Sequence, residues 1–136
     1  MPDDWKRWWK FAKEDQNMGF DNLETYPRGA SYQLQQSGEK FLKAVLIAQN
    51  QDHALTHDLR TLLLQVDKNV NRSGKTMQAA RLLTFVGGQS RYPSDYDEVT
   101  SEQAQALYQA SLEIEAFAKL QIEQITGTVD TSQGDL

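Results

Sequence analysis

An all-α, up-and-down bundle of four to five helices is the fold that this 136-residue chain predicts. Apolar residues recur at helical spacing in five successive segments, and glycine and proline fall mainly between those segments. No stretch alternates apolar and polar residues as a half-buried strand would. Short connections imply antiparallel neighbours.

The first helix is expected from Asp3 or Asp4 as cap, with Trp5, Trp8, Trp9, Ala12, Gly19 and Leu23 on its packing side, to a stop before Tyr26-Pro27. The second covers Arg28 to Ile47. At about 100° per residue it gathers Ala30, Leu34, Gly38, Phe41 and Val45 on one side, and Gln33, Gln36, Lys40 and Lys43 within roughly 80° on the other. A third helix runs from about Asp58 through Leu59, Leu62, Leu63 and Val66. A fourth runs from about Lys75 through Met77, Ala80, Leu82 and Phe85 to a stop at Gly87-Gly88. The fifth is the clearest: Thr100 and Gln103 have capping-box spacing, and Leu107, Ser111, Ile114, Ala118, Ile122 and Ile125 recur behind them. Residues 1–126 are thus expected to form one domain, and 127–136 a disordered acidic tail.

Composition narrows the function classes. A hydrophobic content of 39% in a chain this long suffices for one core without a metal or disulfide staple. There is no cysteine, which excludes disulfides, thiolate metal sites and cysteine nucleophiles. The net charge of -5 argues against nonspecific binding to duplex DNA. No apolar run reaches the ~20 residues of a membrane span, and the opening residues lack the apolar core of a signal peptide. A soluble cytoplasmic protein is expected.

The polar row on the second helix is the first candidate site, its alternative being an ordinary solvated face. Amides and ammonium groups in line are what an anionic ligand such as a phosphate needs, and Glu39 stands four residues before Lys43 to hold it. The second candidate is the loop around Arg91, Tyr92 and Asp95, its alternative being a surface loop anchored by its tyrosines. There an arginine offers a planar fork for phosphate, a tyrosine offers a stacking face for a base, and Pro93 stiffens the backbone. Other patterns carry less. Gly74-Lys75-Thr76 resembles the end of a P-loop, but Asn69 stands where its first glycine belongs and no strand leads into it. His53 and His57 are spaced i,i+4 without the glutamate of a zincin, and His57 is expected to brace the third helix, so no metal is expected. Trp5, Trp8 and Trp9 among Lys6, Arg7, Lys10 and Lys13 would suit a membrane-surface helix, yet Asp15, Asp21 and Glu24 make the second half acidic and favour core packing.

Four segments in order resemble the HEPN family, the higher eukaryotes and prokaryotes nucleotide-binding domains. They are Trp8 to Asp15, with Ala12 between; Gln36-Ser37-Gly38-Glu39-Lys40-Phe41-Leu42-Lys43-Ala44; Thr56-His57-Asp58-Leu59; and Arg91-Tyr92-Pro93. A helical segment from Glu102 to Ile122 resembles the family's last helix. The resemblance implies a helical bundle that pairs as a homodimer and works beside a minimal nucleotidyltransferase as a two-component module. It also implies a ligand site at Gln36, Glu39, Lys40, Lys43, His57, Arg91 and Tyr92, with Asp95 as an addition. The ribonuclease members carry an arginine and a histidine with four to six residues between them. Here those positions hold Leu46, Ile47 and Ala48 before His53, and Asn50, Gln51 and Asp52 before His57. No catalytic residue is therefore expected. The leading expectation is a nucleotide or other phosphate-bearing ligand, with no other cofactor. The alternative is an antitoxin-like or regulatory interaction module, and a ribonuclease toxin comes last.

Overall fold

A computed structural model describes residues 4–52, 55–87 and 98–127. Five α-helices run in order among them: α1 (Asp4–Asp21), α2 (Pro27–Ala48), α3 (Leu59–Val66), α4 (Lys75–Leu82) and α5 (Ser101–Thr126). A π turn, Leu83–Gly87, extends α4. The described residues contain no strand.

Local chemistry sets the boundaries. Pro27 opens α2 at a position where its missing N–H costs no bond. The Asp58 side chain accepts from the Arg60 backbone and starts α3. Thr100 and Gln103 close the reciprocal capping box before α5, at 3.0 Å and 2.9 Å. Gly127, at φ 86°, ends that helix in a conformation that favours glycine. Residues 128–136, which include nearly all of the expected tail, lie outside the described residues.

α1 and α2 form an antiparallel pair, since partners run in opposite chain directions. Trp9 meets Phe41 edge-on at 4.7 Å, Ser37 Oγ donates to the Ala12 carbonyl at 2.9 Å, and Asn22 Nδ2 donates to Gln33 Oε1 at 3.4 Å. α5 crosses α1 in the same sense, with Phe20 against Tyr108 and Lys13 bonded to Glu115 at 2.7 Å. Between these last two contacts, Gln16 is buried and donates to both Ser111 Oγ and Glu115 Oε1.

α2 is the central element. α1, α3, α5 and the π turn all pack on it, and its buried residues lie along two lines. Ala30, Leu34, Gly38, Phe41 and Val45 are buried as the sequence predicts, but Gln35, Glu39, Leu42 and Leu46 are buried as well. Two glycines permit the closest approaches. A Cβ on Gly19 of α1 would stand 2.6 Å from Leu34 Cγ, and one on Gly38 would stand 2.7 Å from Leu59 Cδ2 and 3.0 Å from Leu83 Cδ1.

The fourth helix departs from its expected packing side. Met77, Ala79, Ala80 and Leu83 are buried, whereas Leu82 and Phe85 are exposed. Met77, Ala80 and Leu83 form one line at i+3 spacing, and Leu82, five residues after Met77, falls off that line.

Candidate functional site

The polar row of α2 lies in the seam between α1 and α2, with all four members half-buried. Lys40 is ion-paired to Asp15 of α1. Lys43 stands 3.6 Å from Glu39 one turn back and 5.8 Å from the centre of the Trp8 ring. Gln36 Nε2 donates to the neighbouring Gln35 Oε1 at 2.8 Å. The row is thus already engaged within the chain, and its charges are compensated by Asp15 and Glu39.

Glu39 ties the row to α3. Its carboxylate, with a side chain only 5% exposed, accepts from His57 Nδ1 at 2.7 Å. Gln35 Nε2 donates to the His57 backbone carbonyl at 3.2 Å, so this segment is held to α2 at two points. His57 braces the entry to α3 as the sequence predicts, and 61% of its side chain remains exposed to solvent. The structure therefore brings together Gln36, Glu39, Lys43 and His57, with Lys40 in the adjoining seam. Arg91, Tyr92, Asp95 and His53 lie outside the described residues.

A groove of about 480 Å³ runs along the same seam. Asp4, Arg7, Trp8 and Phe11, on one face of α1, line it opposite Lys40 and Ile47 of α2. Arg7 makes no side-chain contact with a partner among the described residues. Helical periodicity assigns Trp8 to the core and passes over Phe11. Their spacing with Asp4 and Arg7 is the signal that points to the groove, because Trp8 and Phe11 are three residues apart and share a helix face.

A second set of charges surrounds the start of α3. Asp58 Oδ1 accepts from Arg60 Nε at 3.0 Å and Oδ2 from Arg60 Nη2 at 2.6 Å, a two-point pair. That bonding holds the Asp58 carboxyl below its ordinary value, against the opposing effect of partial burial, with backbone N–H donors from Arg60 and Thr61 helping. The same pair raises the Arg60 guanidinium. The guanidinium also lies 4.7 Å over the Phe85 ring. Thr84 Oγ1, in the π turn, accepts from the Leu59 backbone N–H at 3.0 Å and donates to the Ala80 carbonyl at 2.7 Å.

Among the described residues no three His, Asp or Glu side chains gather as a metal site, and no helix is long and apolar enough to cross a membrane.

Two solved structures share the fold. TT1696 from Thermus thermophilus superposes with a TM-score of 0.77 at 22% identity, over 89% of this chain and 99% of that one. ST0689, described as an archaeal HEPN homologue, superposes with a TM-score of 0.71 at 26% identity, over 87% of this chain and 97% of that one. No curated protein matches the sequence. The HEPN domain family model matches residues 5–121, from the first turn of α1 to within the last two turns of α5. With that span, and with the helical bundle it implies in place, the chain belongs to the HEPN domain family.

Proposed function

We propose that this HEPN-domain protein binds a nucleotide or other phosphate-bearing ligand in the groove between α1 and α2, and that it does so as the non-catalytic partner of a minimal nucleotidyltransferase. The observation that carries the reading is the composition of the groove wall: Arg7 and Lys40 as cations, Trp8 and Phe11 as aromatic faces. A guanidinium recognises phosphate with its planar fork, and an aromatic face recognises a base by stacking. Arg7 would take the first phosphate contact, since nothing else among the described residues engages it. Lys40, shared with Asp15, would add a second. Glu39 and His57 act behind this wall as positioning residues, because they fix Lys43 beneath Trp8. Arg91, Tyr92 and Asp95 complete the proposed ligand set.

The test is a thermal-shift titration with ATP, GTP, UTP, CTP and their monophosphates, since a ligand bound only by the folded state raises Tm by mass action. A saturable shift that disappears in Arg7→Gln and in Lys40→Gln is expected. A shift that survives both substitutions, or none with any nucleotide, overturns the reading.

A second reading has its own support. Phe11 and Met18, seven residues apart on α1, are 42% and 44% exposed, and the α2 cations are already paired within the chain. Two exposed apolar side chains beside compensated charges suit a protein partner, a second copy or the nucleotidyltransferase. Co-expression with a neighbouring nucleotidyltransferase, followed by light scattering, would return a defined complex on this reading, and Phe11→Asp would break it.

A further inference from the structure

We propose a second anion site, at the junction of α3 and α4, that takes a diphosphate group through Arg72 and Arg81. A pocket of about 300 Å³ opens there, with Arg60, Arg72 and Arg81 in its wall and, among the described residues, Asp58 as the only acid. This concentration of guanidinium groups runs against the charge of a chain that carries -5 overall.

The three arginines are not equivalent. Arg60 is neutralised by its two-point pair with Asp58 and rests on Phe85. Asp58 is thereby spent, because its Oδ1 also accepts from the Arg60 backbone N–H. Arg72 has no side-chain partner among the described residues. Arg81 uses one of its N–H donors, from Nη2 to the Arg72 carbonyl at 3.2 Å. That bond ties α4 to the segment before it; both arginines line the same pocket, and the one acid that lines it among the described residues, Asp58, is bonded to Arg60. An anion seated in the pocket could be met by both guanidiniums, which would otherwise repel each other.

The remaining wall narrows the ligand class. Thr61 offers a hydroxyl, while Leu64 and Met77 are apolar, and no aromatic ring among the described residues lines the pocket to stack on a base. Phe85 is already covered by Arg60. Recognition therefore falls on the phosphates, supplied either by free pyrophosphate or by the phosphate chain of a nucleotide. The backbone N–H of Leu59 at the start of α3 is already bonded by Thr84, and that of Arg60 by Asp58, so the guanidiniums carry the site. The site is independent of the α1–α2 groove.

Titration calorimetry with inorganic pyrophosphate at low ionic strength tests it. Saturable binding is expected, weakened at least tenfold in Arg72→Gln/Arg81→Gln with an unchanged thermal melt, and unaffected in Arg7→Gln. Arg72→Gln alone, whose side chain supports nothing in the described fold, is expected to weaken binding several-fold, so the result does not depend on the double variant. Competition with ATP separates the sources: displacement of pyrophosphate marks a nucleotide's phosphate chain, its failure marks free diphosphate, and either supports the site. Absence of saturable binding, binding that is indifferent to Arg72 and Arg81, or loss in Arg7→Gln overturns it.

Discussion

His57 Nδ1 lies 2.7 Å from Glu39 Oε1, joining the segment before α3 to the middle of α2 across 18 residues of sequence. The partners differ in setting: the carboxylate is buried and the imidazole is largely in solvent. Removing each side should therefore have unequal consequences. Glu39→Ala leaves Lys43, only 12% exposed, without its compensating charge, and is expected to cost roughly 2–4 kcal/mol. His57→Ala removes one half-solvated contact and is expected to cost about 1 kcal/mol. Urea denaturation midpoints would rank the two, and equal losses would refute the asymmetry.

Two glycine substitutions should have opposite signs. At Gly19 a Cβ would press on Leu34 Cγ at 2.6 Å and on the Ala30 carbonyl at 3.3 Å, so Gly19→Ala is expected to lose about 1–3 kcal/mol despite its better helix propensity. At Gly29 the nearest atom is Tyr26 Cβ at 3.9 Å, and Gly29→Ala is expected to gain roughly 0.5–1 kcal/mol. Thermal melts of the two variants beside the parent protein decide this.

Asp58 sets an acid limit on stability. Its folded-state carboxyl is held below the ordinary value of 3.8, so its contribution is complete above that value, where the group is ionised in both folded and unfolded chains. As pH drops below 3.8 the unfolded chain takes up the proton first, and the contribution is lost as pH falls through the lower folded value. Asp58→Asn keeps a good N-cap while removing the charge, so it should change stability at neutral pH by less than about 1 kcal/mol and flatten the acid limb. Tm measured from about pH 3 to about pH 7 in both proteins would show the difference.

Thr84 joins the π turn to α3 through a single hydroxyl. Thr84→Val preserves shape but leaves the Leu59 backbone N–H without its acceptor, at an expected cost of about 1–3 kcal/mol. Thr84→Ser should recover most of that loss in a denaturant series, and a silent Thr84→Val would show that solvent satisfies the amide instead.

The helices were legible in the sequence because each buries a face at helical spacing, and most carry their own start or stop signal: Pro27, Asp58, Thr100 with Gln103, and Gly127. The inward side of α4 was not, because the buried line steps from Met77 to Ala80 to Leu83, so that Leu83 takes the place expected for Leu82. Periodicity also gives the angle of Lys40 and Gln36 on α2 but not what lies opposite. Asp15, 25 residues away, meets Lys40 only once α1 has folded back. Glu39, Lys43 and His57, all named from the sequence, meet in the folded chain, while the groove on Trp8 and Phe11 and the arginines around α3 arise from tertiary packing between segments with no shared local pattern.

The central position of α2 has a consequence for hydrogen exchange. Its middle turns are packed against by α1, α3, α5 and the π turn, so their amides should exchange with deuterium only when the whole bundle opens. α3 has eight residues and is held by a cap, a histidine and a threonine hydroxyl, and should exchange through smaller, local openings. The slowest-labelled peptide would then be the one that carries Gly38 and Phe41, and its rate would read out the stability of the entire domain.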